Sequence, residues 1–425
     1  MRILIAAIGS HGDVLPFATL GHELASRGHD VVFYANPVFS SCVTHPSIRF
    51  VPMGTREAHE ALFQQAPEDN PTRAFKHIAR YLMDMAPAYH DAMAADVVPG
   101  QTICMGGSLM FAHRLLRETL GVPCATVHLA PSVLRSAIHP ARLGPHAVAA
   151  HVPAWLTRVA WRAMDVLAYD PFITAPLNRW RRQLGLPPVK RVFKSWLHEA
   201  DGLVAMFPEW FAQREADWPA QLVMTGFPLH DSGYALPLPA RLQDFLADGP
   251  PPVAFSPGTA NASAESFFRT SVQACDMAGM RGILLSPFAG HVPASLPRQV
   301  IHVDYAPFGA LLPRLAALVH HGGIGTTSQA LRAGVPQLIR PVAYDQFDNA
   351  ARAVKLGVAT ELLPNRYTAD RLARALTSIA TDAPLQSRCR EMARHFVGND
   401  AVADTCDAIL ERVPIKGFPQ LAGST

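Results

Sequence analysis

Residues 315–339 dictate more of this chain's fold than any other stretch, because they read in order as strand, glycine-rich turn, short helix and strand. Residues 315–319 are an apolar run of strand length. His320 and His321 follow, and then Gly322, Gly323 and Gly325 let the backbone come close to a ligand. Thr326 and Thr327 supply hydroxyls where the helix begins, and Gly334 and Pro336 end it before residues 335–339 resume as a strand. A helix N-terminus with free N–H groups and a positive dipole end suits a phosphate. In the loop after the next strand stand Asp345 and Gln346, adjacent polar side chains able to grip the vicinal hydroxyls of a sugar. A turn of this kind often serves only tight packing, but turn, hydroxyls and downstream Asp-Gln together read as a nucleotide-sugar site. The turn is not GxGxxG, and GxxxxGK[ST] is absent from the sequence, so neither a dinucleotide nor a P-loop reading applies. The paired histidines point apart as sequence neighbours and have no second ligand pair at metal spacing.

A chain of 425 residues predicts two domains, and with 49% apolar and 17% charged residues a large core is readily built. The net charge of +3 is too small and too scattered to argue for nucleic acid. Six cysteines without a CxxC pair predict reduced core residues of a cytoplasmic protein. Residues 1–8 resemble the apolar part of a signal peptide, but Gly9 to Asp13 break the run and a first buried strand fits better. No apolar run reaches the roughly 18 residues of a membrane span.

Residues 3–8 and 30–34 predict central parallel strands. Between them lie an expected loop at residues 9–16 and a helix marked by Phe17, Leu20 and Leu24. This unit repeats the plan around His321, and ligands bind outside the carboxyl ends of such strands. Further strands are predicted at 49–51, 102–105, 125–128, 202–205, 222–224, 253–256, 282–285, 300–303 and 357–360, with helices at 75–93 and 112–120. The expected architecture is α/β: two doubly wound Rossmann-like domains facing across a cleft. The expected boundaries are 1–230 for an acceptor-binding domain, 231–252 for a proline-rich linker in which residues 241–247 could form a helix, 253–384 for a nucleotide-sugar-binding domain and 385–425 for a C-terminal helix crossing back to the first domain.

Several segments carry a family resemblance: residues 7–17, 207–212, 217–219, 224–229, 318–334 and 345–350. The chain resembles the GT-B nucleotide-sugar glycosyltransferases, the broad family that includes UDP-glucuronosyltransferases and antibiotic glycosyltransferases. Within it the three middle segments are similar to the rhamnosyltransferases of bacterial rhamnolipid synthesis. The resemblance implies that His321, with Gly323, Gly325 and Thr326, contacts the donor diphosphate, and that Gly258 and Thr259 form a second phosphate-side loop. Asp345 and Gln346 would hold the donor sugar, and Val303 and Tyr305 would lie where the base is read. Gln329 stands where relatives often carry Glu on the ribose.

Many relatives have Gly-His-x-x-Pro where this chain has Gly12, Asp13 and Pro16, so Asp13 takes the position of the histidine base. The competing reading makes Asp13 a helix cap. It ranks second because Asp13 as cap would put Pro16 at the third helical position rather than the first. His11 is the rival base. The resemblance implies an inverting transfer of L-rhamnose from dTDP-L-rhamnose to the free hydroxyl of a 3-(3-hydroxyalkanoyloxy)alkanoate, giving a mono-rhamnolipid. With no Asp-x-Asp in the sequence, no metal is expected, and no other cofactor. It also implies a functional or physical link to the acyltransferase that makes the lipid acceptor. Basic residues between Arg179 and Lys194 could meet the acceptor carboxylate or an anionic inner-membrane surface, or form a solvated face. Rival readings are another donor or a sterol or polyketide acceptor, a non-catalytic auxiliary protein, and an epimerase of the same fold.

Overall fold

The computed structural model describes residues 1–64, 71–146, 152–229, 237–258 and 264–413. The chain forms two compact units, Met1–Ala141 with Val148–Pro228 and Asp400–Thr425, and Arg142–Ala147 with Leu229–Asn399.

The first unit is built on seven strands: β1 (Arg2–Ala6), β2 (Asp30–Ala35), β3 (Ile48–Pro52), β4 (Thr102–Gly107), β5 (Cys124–His128), β6 (Gly202–Ala205) and β7 (Val223–Met224). They pair in parallel in the order β3-β2-β1-β4-β5-β6-β7. The apolar runs are continuous because both faces of the sheet are covered. Ile3, Ile5, Phe33 and Met105 enter one core, and Leu4, Ala6, Tyr34 and Cys104 the opposite one. Each fully buried aliphatic side chain contributes about 1.5–3 kcal/mol of transfer free energy.

The second unit repeats the plan with β8 (Val253–Ser256), β9 (Gly282–Leu285), β10 (Val300–Val303), β11 (Ala317–His320), β12 (Gln337–Ile339) and β13 (Ala359–Glu361). Their order is β10-β9-β8-β11-β12-β13, again parallel. In each sheet the strand order reverses at one place, between β1 and β4 and between β8 and β11. Chain leaving the carboxyl ends of those strands is where an open α/β sheet binds ligands.

Four expectations change. The helix expected near Pro16 begins at His11 and runs His11–Ser26, with Ser10 as its cap residue and Pro16 inside it. Gly12 and Pro16 read as loop signals in sequence, but Asp13 ties down the free N-terminus. Pro16 only deprives the Gly12 carbonyl of a donor. Of the passage expected as a linker, residues 231–236 lie outside the described residues and the remainder belongs to the second unit, where helix Ala240–Ala247 buries Leu242 and Leu246 in the core. The single C-terminal helix is two, Ala383–Ala393 and Ala401–Arg412, parted by a short 3-10 turn and Gly398 at φ +78°. Only the chain from Asp400 onward belongs to the first unit, where the Thr405 and Thr225 hydroxyls hydrogen-bond at 2.6 Å. Residues 142–147, expected in the first domain, belong to the second unit.

Candidate functional site

The second unit's site begins at His320, whose imidazole fixes the turn after β11. His320 is fully buried, its Nε2 donates to Gln337 Oε1 at 3.0 Å, and its Nδ1 accepts the Gly322 N–H at 3.1 Å. Burial holds it neutral, with a pKa lowered to about 3. The chain then turns through Gly322, at φ +92°, where a Cβ would stand 2.8 Å from the Ile339 Cγ2.

His321 lies between two glycines. A Cβ on Gly258 would stand 2.6 Å from its Cε1, and one on Gly323 would stand 2.5 Å from its Nε2. The ring therefore lies against bare backbone on both sides. Its Nδ1 is buried without a hydrogen-bond partner among the described residues. Burial lowers its pKa to about 4, with the nearby Ser256 backbone working the other way, so the ring is neutral near pH 7.

Gly323 is also the cap residue of helix Ile324–Ala333, and it offers no side chain to the helix end. Thr327 N–H already bonds the Gly323 carbonyl, and the Thr327 and Ser328 hydroxyls bond back to Gly323 and Gly325 carbonyls. Among the described residues, that leaves the N–H groups of Ile324, Gly325 and Thr326 and the Thr326 hydroxyl for an anion.

After β12 the loop is held by Gln346, whose Oε1 accepts the N–H groups of Val342 (2.8 Å) and Ala343 (3.1 Å). Tyr344 adopts φ +56°, a left-handed conformation that costs a non-glycine residue free energy. Helix Gln346–Lys355 then starts. Asn349, fully buried, donates through Nδ2 to Asp345 Oδ2 at 2.8 Å and to the Gly322 carbonyl at 3.0 Å. Asn349 is thus the physical join between the Asp345–Gln346 pair and the His321 turn. Next to it on this helix, Asp348 accepts the Arg142 N–H at 3.1 Å, while the Arg142 guanidinium forms a two-pronged pair with Glu361.

Val303 ends β10 and Tyr305, exposed, follows it. β10 is three strand spacings from β11, about 14 Å. Gln329 is half-buried on helix Ile324–Ala333. Thr259 lies outside the described residues.

In the first unit, Asp13 Oδ2 accepts the Ser10 N–H at 2.8 Å and the Ser10 hydroxyl at 2.9 Å. The side chain therefore reaches back over the helix end from the third helical position, and the objection from Pro16 fails because the helix starts earlier. Burial raises the Asp13 pKa, and the two Ser10 hydrogen bonds oppose it. A Cβ on Gly9, at φ +123°, would stand 2.5 Å from Asp13 Oδ2, so glycine is required there. His11 is exposed, its ring edge-on to Phe39 at 5.0 Å, and no hydrogen bond joins it to Asp13.

The sequence reading missed Asn349, Arg142 and a buried polar group past the ends of β4 and β5. There Ser108 Oγ and His128 Nδ1 are 2.7 Å apart, and the His128 and His198 rings meet edge to face at 5.1 Å. Arg135 pairs with Asp165 and lies over the Trp161 and Tyr169 rings. His128 Nε2, both His198 nitrogens and Arg135 Nη2 are buried without hydrogen-bond partners among the described residues. These positions are far apart in sequence and share no motif; Asn349 alone was within a visible one.

Residues 3–138 match the N-terminal domain of glycosyltransferase family 28, and residues 284–410 match the C-terminal domain of erythromycin biosynthesis protein CIII-like proteins. The chain is 31% identical over 388 residues to the vancomycin aglycone glucosyltransferase of Amycolatopsis orientalis, covering 90% of each chain. It is 29% identical over 421 residues to the O-mycaminosyltylonolide 6-deoxyallosyltransferase of Streptomyces fradiae, covering 97% of each. Among solved structures, the kitacinnamycin glycotransferase superposes with a TM-score of 0.72 at 21% identity, over 97% of this chain and 99% of that one.

Proposed function

The chain belongs to the GT-B glycosyltransferases, and within that family we propose that it transfers L-rhamnose from dTDP-L-rhamnose to the free hydroxyl of a 3-(3-hydroxyalkanoyloxy)alkanoate. The observation that carries the reading is the His321 ring walled by Gly258 and Gly323 at the open end of helix Ile324–Ala333.

The acceptor oxygen bonds to the anomeric carbon as the carbon–oxygen bond to the diphosphate breaks, inverting that carbon. Charge grows on the leaving nucleoside diphosphate. The three free N–H groups, the Thr326 hydroxyl and the positive helix end stabilise it most at that moment. Neutral His321 serves as a hydrogen-bond donor to the diphosphate. Gln346 offers its amide and Asp345 its carboxylate to the sugar hydroxyls. Val303, Tyr305 and Gln329 serve the nucleoside, with Thr259 on the phosphate side. Asp13 accepts the acceptor's proton; its Oδ2 is engaged by Ser10, which leaves Oδ1 for the task.

The rhamnolipid acceptor is supported by residues 207–212, 217–219 and 224–229, which resemble that branch of the family. An acid on the acceptor is supported by the unpartnered nitrogens of Arg135, His128 and His198. A 6-deoxy donor sugar is supported by the 6-deoxyallosyltransferase among the relatives. A second reading keeps the chemistry with an antibiotic-type aglycone as acceptor, because the vancomycin relative acts on an aglycone.

The test is to incubate the purified protein with dTDP-L-rhamnose and the hydroxy-acid dimer and to look for the mono-rhamnosyl lipid by mass spectrometry. Product is expected. Its absence, with transfer to an aglycone from the same donor, overturns the lipid acceptor and keeps the second reading.

A further inference from the structure

Helix Ala154–Met164 and the π-helical segment Asp165–Thr174 that continues it present the wrong face to water. Trp155, Leu156, Val159, Val166 and Leu167 are 44–76% exposed. These five are among only thirteen exposed large apolar side chains in the described residues. At about 100° per residue they fall on one face roughly 120° wide. The other side holds buried Thr157 and Asp165, and Trp161, whose Nε1 donates to the Ser136 carbonyl at 3.2 Å. The segment is therefore anchored by a polar inner face and turns its apolar face outward.

Charge identifies what covers it. Arg158 and Arg162 stand at the edge of the apolar face, exposed and without an ion pair among the described residues. Helix Ala175–Gln183 packs on the π-helical segment and continues the positive surface through exposed Arg179 and Arg182. Lys190, Arg191 and Lys194 extend it, also unpaired among the described residues. In residues 152–198 the only acids are Asp165, which is buried and paired with Arg135, and Asp170. An exposed Trp-led apolar stripe bordered by cations with almost no opposing charge is the pattern of a helix that lies in a lipid headgroup layer.

We propose that residues 154–167 dock the first unit on an anionic bilayer surface, with Trp155, Leu156, Val159 and Leu167 entering the acyl boundary and the arginines meeting lipid phosphates. No helix among the described residues is long and apolar enough to span a membrane, so the contact is peripheral. The inference does not depend on which hydroxyl is glycosylated.

The test is flotation of the full chain with vesicles of phosphatidylcholine alone or mixed with phosphatidylglycerol. Binding is expected only to the mixed vesicles, and it should weaken as salt rises. The triple variant W155S/L156S/V159S should bind at least roughly tenfold more weakly, with its melting temperature and nucleoside diphosphate affinity unchanged. The R158E/R162E variant keeps the apolar face and should lose the preference for anionic lipid. Wild-type protein that fails to float with mixed vesicles would overturn the proposal. So would a triple variant that floats like wild type, or a concentration-dependent dimer that the triple variant abolishes in protein that does not bind vesicles.

Discussion

A methyl group at position 323 has no space. Gly323 has φ −59°, open to any residue, so only the His321 ring demands glycine there. Gly323→Ala must displace the ring, and on the proposed reading nucleoside diphosphate affinity should fall by roughly tenfold or more in calorimetry. A methyl group on Gly325 would meet nothing within 4 Å, so Gly325→Ala should leave the melting temperature unchanged. Equal affinity for Gly323→Ala and wild type would show that His321 does not contact the diphosphate. Asp13 poses a different question, since one carboxylate could serve as cap, base or both. Asp13→Asn should keep donor affinity and lose roughly 10²–10⁴-fold in turnover. Ser10→Ala removes one hydrogen bond to the carboxylate and should cost about 1 kcal/mol of stability with turnover largely retained. If both variants lose stability alone, Asp13 is only a cap.

At the scale of elements, strands were legible because each is a short apolar run closed by glycine or proline, and a strand covered on both faces needs that pattern. The helix at residues 324–333 was legible for the same reason as its site: the glycines that bare its end are those that let His321 approach. The start of helix His11–Ser26 was not, because Asp13 acts through its side chain across the turn and Pro16 argues locally against a helix. Asn349 stood in a visible stretch beside its partner Asp345, but its tie to the His321 turn was hidden because Gly322 lies 27 residues away, and Arg142 was hidden because Glu361 lies 219 residues away. Asn349 yields the element-scale prediction. Asn349→Leu removes both donations and should uncouple helix Gln346–Lys355 from the His321 turn. KM for the nucleotide sugar should then rise more than affinity for the free nucleoside diphosphate falls. If both change by the same factor, Asn349 serves general packing rather than the Asp345–Gln346 pair.

For the whole molecule, buried histidines set a pH limit that differs between the units. His113, His128 and His198 in the first unit and His320 in the second are nearly or fully buried, and burial lowers the pKa of each. His113 and His320 fall to about 3 and His198 to about 4, against 6.5 for an exposed histidine. Between these values the unfolded chain binds protons that the folded chain excludes. Stability is therefore present above pH 6.5 and is lost as pH falls toward 4. By pH 5 each such histidine costs on the order of 2 kcal/mol, a large share of the roughly 5–15 kcal/mol that holds a domain together. Asp13, whose pKa burial raises, works in the opposite direction as a single group. The carboxylates lowered by arginine partners, Asp96, Glu118 and Asp201, have ordinary values of 3.8–4.5 and act only below that. His59 in the first unit and His321 in the second also fall to about 4, which makes four such histidines in the first unit against two in the second, so calorimetry from pH 7.5 to 5 should show the first unit's transition moving down ahead of the second unit's. Nucleoside diphosphate should raise the later transition, which marks it as the donor-binding unit. Melting that is flat to pH 5, or an early transition that is the one raised by nucleotide, would contradict this division of buried histidines.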